Sequence, residues 1–263
     1  MTRPAVTSPV DVAAAAQQTR ERHTHGETAR AAGTGRVLAA LSAVRDPELD
    51  EPITSLGFVT SCTVSAGGEA RIRLRLPTYF CAPNFAFLMV ADSYDAVAAL
   101  PEIRGVVIEL EDHFAADAIN NGVAARAGFA ASFDGEAAGE LHQLRADFLR
   151  KAVLAGTDRL CRLVSAGGAG PPALTSLTLG DVPPSAERER LRERRAELGL
   201  PSGDDSPLVI DPVTGEGVCD EALPLHLRRA HTTRVSVEAN AGLCRGMLRH
   251  RYNTTGLGEE DDP

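Results

Sequence analysis

From Arg71 to Leu76 the chain alternates without a break: Ile72, Leu74 and Leu76 fall on one side, Arg71, Arg73 and Arg75 on the other. Successive side chains leave a strand on opposite faces, so this pattern fits extended backbone and no helix. The segment reads as a half-buried strand with an apolar inner face and a basic outer face. Gly57 to Val64 reads as a second strand, with Phe58, Thr60, Cys62 and Val64 on one face. Ala66-Gly67-Gly68-Glu69 supplies the turn that makes the two a hairpin.

The flanking segments set the fold class. Val37, Leu38, Leu41 and Val44 recur at helical spacing, and Asp46-Pro47 ends that helix. After the hairpin comes a helical stretch from Asn84 to Leu100, whose buried side would be Phe85, Leu88, Met89, Val97 and Leu100. Val106 to Leu110 follows as a third strand. A strand–helix–strand crossover implies parallel pairing. Residues 36–112 are thus expected to form a small α/β (α+β) sandwich in the order helix, strand, strand, helix, strand. Residues 1–35 are expected to be a mobile arm, residues 113–255 a mostly helical extension, and residues 256–263 an acidic tail. In the extension, 114–133 reads as a short helix and loop, and Glu140 to Val164 as a helix. A linker over 167–172, an exposed charge-rich helix over 186–198 and a loop over 204–217, holding at most the short strand Leu208–Ile210, follow. Val237, Ala241, Cys244 and Leu248 mark a last amphipathic helix.

Composition excludes several classes. With 36 acidic against 27 basic residues the formal net charge is -9, a field that repels phosphate backbones and argues against nucleic acid as a partner. The five cysteines, at 62, 81, 161, 219 and 244, form no Cys-x-x-Cys pair and no disulfide framework. No run approaches the roughly 20 apolar residues that span a bilayer, and no signal-peptide core opens the chain. A reduced, cytoplasmic protein is expected, so Asn253-Thr254-Thr255 carries no meaning as a glycosylation acceptor. The chain has no phosphate-binding Gly-x-x-x-x-Gly-Lys-Ser/Thr loop, no Gly-x-Ser-x-Gly elbow and no His-Glu-x-x-His. Gly33-Thr34-Gly35 follows no strand, which removes a dinucleotide site. His23 and His25 have no third ligand in the arm.

Cys81 is the leading chemical candidate because of its position. Pro83 suits the first turn of a helix, which makes Ala82 the cap and Cys81 the residue just outside it. Free backbone N–H groups and the helix dipole favour a thiolate there, the form that binds iron or attacks an electrophile. Asp112-His113 follows the third strand at the sheet edge, so His113 is a candidate ligand or proton donor. Cys62, Cys161 and Cys244 fall on apolar faces and are expected to pack. Cys219, His226, His231 and Cys244 match no zinc-finger spacing, and sequence leaves open whether they converge.

Asp46-Pro47-Glu48, Leu56-Gly57-Phe58-Val59 and Thr78-x-x-Cys81 occur in an order and spacing that resemble the SufT/PaaD-like family of metal–sulfur (iron–sulfur) cluster assembly proteins, in a long form with a C-terminal extension. The resemblance implies a small α/β fold and a role in maturing iron–sulfur or other iron proteins. It puts Cys81 at the reactive or cluster-binding cysteine, Thr78 at the orienting turn threonine, and Asp46 and Glu48 at the acidic pair. The sequence departs from the family in reading Cys81-Ala82-Pro83 where Cys-Pro is usual. The expected function is an accessory factor, not a turnover enzyme. It would bind or transfer a transient iron–sulfur cluster or iron through Cys81, with Asp46, Glu48 and His113 as further metal candidates. Its partners would be a client metalloprotein, such as a diiron monooxygenase, and the cluster-assembly machinery. A lone cysteine rarely completes a cluster, which also leaves a bridged homodimer open. Two alternatives stand beside this reading: a thiol-dependent enzyme with Cys81 as nucleophile, and a metal-free chaperone or structural subunit.

Overall fold

The computed structural model of the protein describes residues 31–133, 138–166 and 174–253. Most of the N-terminal arm, the 167–172 linker and the acidic tail fall outside the described residues. Helix α1 occupies 31–41, so residues 31–35 already lie in it. The helix stops five residues before Asp46, earlier than the Asp46-Pro47 break predicts. Pro47 disfavours helical backbone at the residue before it, and Arg45–Asp46 (β1) instead pairs antiparallel with Glu51–Pro52 (β2). Val44 remains buried although it has left the helix.

The fold is α+β, as the alternation implies. Strands β3 (Val59–Val64), β4 (Glu69–Arg75) and β5 (Gly105–Glu111) form one sheet in that order. β3 and β4 are the antiparallel hairpin, and β5 joins β4 in parallel after the crossover helix α2 (Pro83–Ala98). In the hairpin turn Gly68 has φ +82, and a Cβ there would meet the Glu102 carbonyl oxygen at 2.7 Å, so glycine is required. One expectation fails in β3. Val59 pairs with Leu74 but Ser61 pairs with Arg73, a bulge that expels Thr60 from the Phe58–Cys62–Val64 face. Thr60 is exposed and donates to the Arg73 carbonyl at 3.2 Å. The outer face of β4 is basic by sequence but paired in space. Arg73 contacts Glu109 and Glu111 at 3.4 and 3.3 Å, and Arg75 contacts Glu111 at 2.7 Å.

Ile72, Leu74 and Leu76 point inward with Ile108 and Leu110, against Val37 and Leu41 of α1 and Phe87, Met89 and Val97 of α2. Phe85 and Leu100 of the expected buried side are only half-buried, and Phe85 meets Phe148 of the extension edge-on at 4.9 Å. The extension supplies α3 (Ala116–Ala124), α4 (Phe129–Ser132), α5 (Ala138–Ala166), a 3-10 turn at Leu174–Ser176, α6 (Ala186–Glu197) and α7 (Leu223–Asn253). It has its own core, built on Val153, Leu160, Cys161, Leu179, Leu191 and Leu208. The 204–217 loop makes only the isolated bridges Thr178–Pro207 and Ile210–Gly217, and Leu208–Ile210 forms no regular strand.

Helix α6 overturns a prediction. Its charges suggest an exposed helix, yet Arg194 and Arg195 are 6% and 0% exposed. Arg195 donates to the carbonyls of Pro207 and Leu208 at 2.8 and 2.6 Å. Burial lowers its pKa to about 10, so it stays charged at neutral pH. Arg194 reaches into the α/β domain and donates from Nε to Asp50 at 2.6 Å, a pair almost wholly out of water. Helix α7 also joins the two parts: Leu223 and Leu227 pack on the extension's core, while Ala241, Cys244 and Leu248 pack on the sheet's core. Among the described residues no helix is long and apolar enough to cross a membrane.

Removing one member of a buried ion pair leaves the other charged and unpaired, which costs roughly 3–5 kcal/mol. Arg194→Ala is therefore expected to lower the unfolding free energy by about that amount in a urea titration. A loss well under 1 kcal/mol would show that the Asp50–Arg194 pair does not hold the extension to the domain.

Candidate functional site

Parallel pairing places the C-terminal ends of β4 and β5 side by side, with Arg75 opposite Glu111. The two segments that leave those ends are tied together. The Phe114 N–H donates to the Tyr79 carbonyl at 3.1 Å, and His113 Nε2 lies 2.7 Å from the Cys81 carbonyl oxygen. The Ala115 N–H lies 3.2 Å from His113 Nδ1, and a backbone N–H can only donate. Nδ1 is therefore the acceptor, and Nε2 carries the proton given to Cys81. Burial pushes the His113 pKa down and Arg251 adds to that, while the bond to the Cys81 carbonyl opposes both. His113 is thus a neutral brace on the backbone of Cys81. In this arrangement neither ring nitrogen is left for a metal or for a proton on the thiol.

Ala82 caps α2 and Pro83 is its first residue, which leaves Cys81 just outside the helix as its spacing predicts. The thiol is half-buried, and Sγ lies 3.3 Å from Thr78 Oγ1, so the turn threonine touches the sulfur directly. Asp46 Oδ1 accepts the N–H groups of Glu48 and Leu49, each at 2.9 Å. Burial raises its pKa to about 6, against the lowering effect of those two bonds and with help from the charges of Glu48 and Glu51. Glu48 is half-buried and accepts from Asn240 Nδ2 of α7 at 3.3 Å. Gly57 has φ +80 and sits against Leu248 of α7, which fits the tight backbone path its sequence context suggests.

Cys244, which was expected to pack, has a setting that the sequence did not indicate. It lies on the face of α7 that packs on the sheet's core, the same apolar cluster that includes Cys81. Burial pushes its thiol pKa up to about 11, helped by the nearby Asp46, Cys81 and Glu48. The stripe Val237, Ala241, Cys244, Leu248 announced a buried face but not its partner. The C-terminal cysteines and histidines do not converge: Cys219 and His226 line a cleft near the start of α7. Cys244 lies 18 residues beyond His226, about 27 Å along a helix. His231 is elsewhere, 3.7 Å from Asp158. Cys161 is buried with its pKa raised to about 12, and burial also raises that of half-buried Cys62; both pack as expected. Among the described residues no three His, Cys, Asp or Glu stand together as a metal cage.

A second feature without a sequence signal is aromatic. Tyr79, Phe80 and Phe114 are 46%, 76% and 50% exposed. Their rings lie 5.0 to 6.3 Å apart, and Phe114 also stacks on His113 at 4.9 Å. The patch flanks the cysteine turn.

These features define a small α/β domain that presents one thiol at a strand-to-helix turn. Residues 35–110 match the model of a family of iron–sulfur cluster assembly proteins. The extension lies beyond the match. A crystal structure of a domain of unknown function, DUF59, from Bacillus anthracis is similar at 26% identity, covering 32% of this chain and 78% of that one, with a TM-score of 0.30. No curated protein matches the chain.

Two expectations follow from the brace and the buried carboxyl. His113→Ala leaves the Cys81 carbonyl and the Ala115 N–H without partners, and is expected to cost about 1–3 kcal/mol in denaturant titration and to speed alkylation of Cys81. Asp46 binds its proton more tightly folded (about 6) than unfolded (3.8), so metal-free protein should lose stability as pH rises from 4 to 6 and then level off. The difference amounts to roughly 3 kcal/mol at most. Asp46→Asn keeps an acceptor oxygen without the charge. It should flatten that slope and be the more stable protein at pH 8, measured by urea unfolding across the range.

Proposed function

We propose that this protein is an accessory factor for maturing an iron-containing client, holding or handing on iron or an iron–sulfur unit through Cys81. The observation that carries the reading is the Thr78–Cys81 contact at 3.3 Å, on a turn braced by His113, within the segment that matches the iron–sulfur cluster assembly family. The thiol is half-exposed, so an incoming metal or a client can reach it. The exposed Tyr79–Phe80–Phe114 patch beside it supports docking on a client protein, because monomeric surfaces seldom leave such aromatic groups clustered in water. The Thr78-x-x-Cys81 turn and the long extension favour the SufT/PaaD-like subgroup, and a diiron monooxygenase is the client class this reading names. All described cysteines are free, which suits a reducing compartment such as the cytoplasm.

A thiol-dependent enzyme is the weaker reading. Covalent catalysis by Cys81 needs a base at the sulfur, and His113 is turned to the Cys81 carbonyl instead.

Anaerobic reconstitution with iron and sulfide should give the wild-type protein a visible chromophore that Cys81→Ser lacks, with client activation lost in parallel. If the serine variant kept both metal uptake and client activation, Cys81 would not be the iron-handling group. Rapid stoichiometric alkylation of Cys81 without metal uptake would point to the nucleophile instead.

A further inference from the structure

Helix α7 belongs to the extension, yet it lies across the domain at the cysteine turn. Asn240 donates to Glu48 at 3.3 Å, and Arg245 pairs with Glu51. Ala241 is 1% exposed in the sheet's core, and Leu248 sits against Gly57. At its far end Arg251 donates to the carbonyls of Leu76 and Asp112 at 3.2 and 2.8 Å. Leu76 is two residues before Thr78, and Asp112 directly precedes the brace, His113. Arg251 therefore ties the helix to both segments that meet at the cysteine turn, and residues three and four apart share a helix face. Cys244 falls on the fastened face, between Asn240 and Leu248, in the core cluster that also takes in Cys81.

We propose that Cys244 is the second thiol of the Cys81 site, and that the pair binds one thiophilic divalent metal ion as two of its ligands. The inference rests on the reading of Cys81 as the iron-handling thiol, and adds to it a ligand from outside the matched family segment. Two thiolates and a divalent ion balance in charge: each thiol gives up its proton as its metal–sulfur bond forms, two protons leave per ion, and no electron moves. Since no third His, Cys, Asp or Glu completes a cage among the described residues, the remaining positions belong to water, inorganic sulfide or a client's side chain. A half-filled coordination sphere suits a site that passes its metal on.

Cobalt(II) is the probe, because its thiolate charge-transfer absorption grows with the number of bound sulfurs. Full-length wild type, Cys81→Ser, Cys244→Ser and the control Cys62→Ser are titrated anaerobically. Wild type and Cys62→Ser should show a two-thiolate band with two protons released. Cys244→Ser and Cys81→Ser should each lose about half the intensity and bind roughly tenfold or more weakly. A wild-type band in Cys244→Ser, with the band lost in Cys81→Ser, would overturn the second thiol and leave the Cys81 reading standing. No band in wild type would overturn both. A second measurement needs no variant: phenylarsine oxide, which bridges neighbouring thiols, should join Cys81 to Cys244 in a mass-mapped peptide pair. Separate labelling of the two cysteines would overturn the proposal.

Discussion

The parallel register of β4 and β5 is the constraint on which the site depends. A crossover returns the chain to the same edge of the sheet, so both strands end at one level. Whatever follows Arg75 must then meet whatever follows Glu111. That is how Cys81 and His113, 32 residues apart, come to share a hydrogen bond. The helix start fixes the thiol's backbone, Thr78 touches the sulfur, and the imidazole brace closes the turn. In the opposite strand direction, the same residue types would sit at opposite ends of the sheet.

The extension is held by interactions of a different kind. Its own core is apolar, but its attachment to the domain includes the buried Asp50–Arg194 pair and the fastening of α7. Asp50 adopts φ +50, a conformation in which Asp is among the better tolerated residues, and so presents its carboxylate to α6. Buried ion pairs contribute less to stability than their Coulomb attraction suggests, but they penalise any docking that leaves one charge unpaired. The pair therefore specifies how the extension sits more than how strongly it is held.

The strands and the crossover were legible because alternation over Ile72, Leu74 and Leu76 is a local consequence of backbone geometry. So was the helix start at Pro83, where one residue's missing N–H decides the boundary. The brace was half legible: His113 stood out by position, but its role depends on which groups its nitrogens meet. Arg194 and Arg195 misled because a guanidinium is charged in either setting, and only tertiary carbonyls and carboxylates decide whether it can be buried. Thr60 misled because a bulge shifts the alternation without changing composition. Cys244 could not be tied to the core that takes in Cys81 because 162 intervening residues separate them, and an apolar stripe states that a partner exists without naming it.

The fastening of α7 has a consequence for the order in which the chain is made. The turn around Cys81 has all its local parts once His113 has left the ribosome, whereas Arg251 follows 138 residues later. At 5–20 residues per second this interval lasts roughly 7–28 s. During it the sheet's core lacks Ala241 and Leu248, and the turn lacks the Arg251 bonds to Leu76 and Asp112. A nascent chain thus carries the Cys81 turn for some seconds before α7 fastens it.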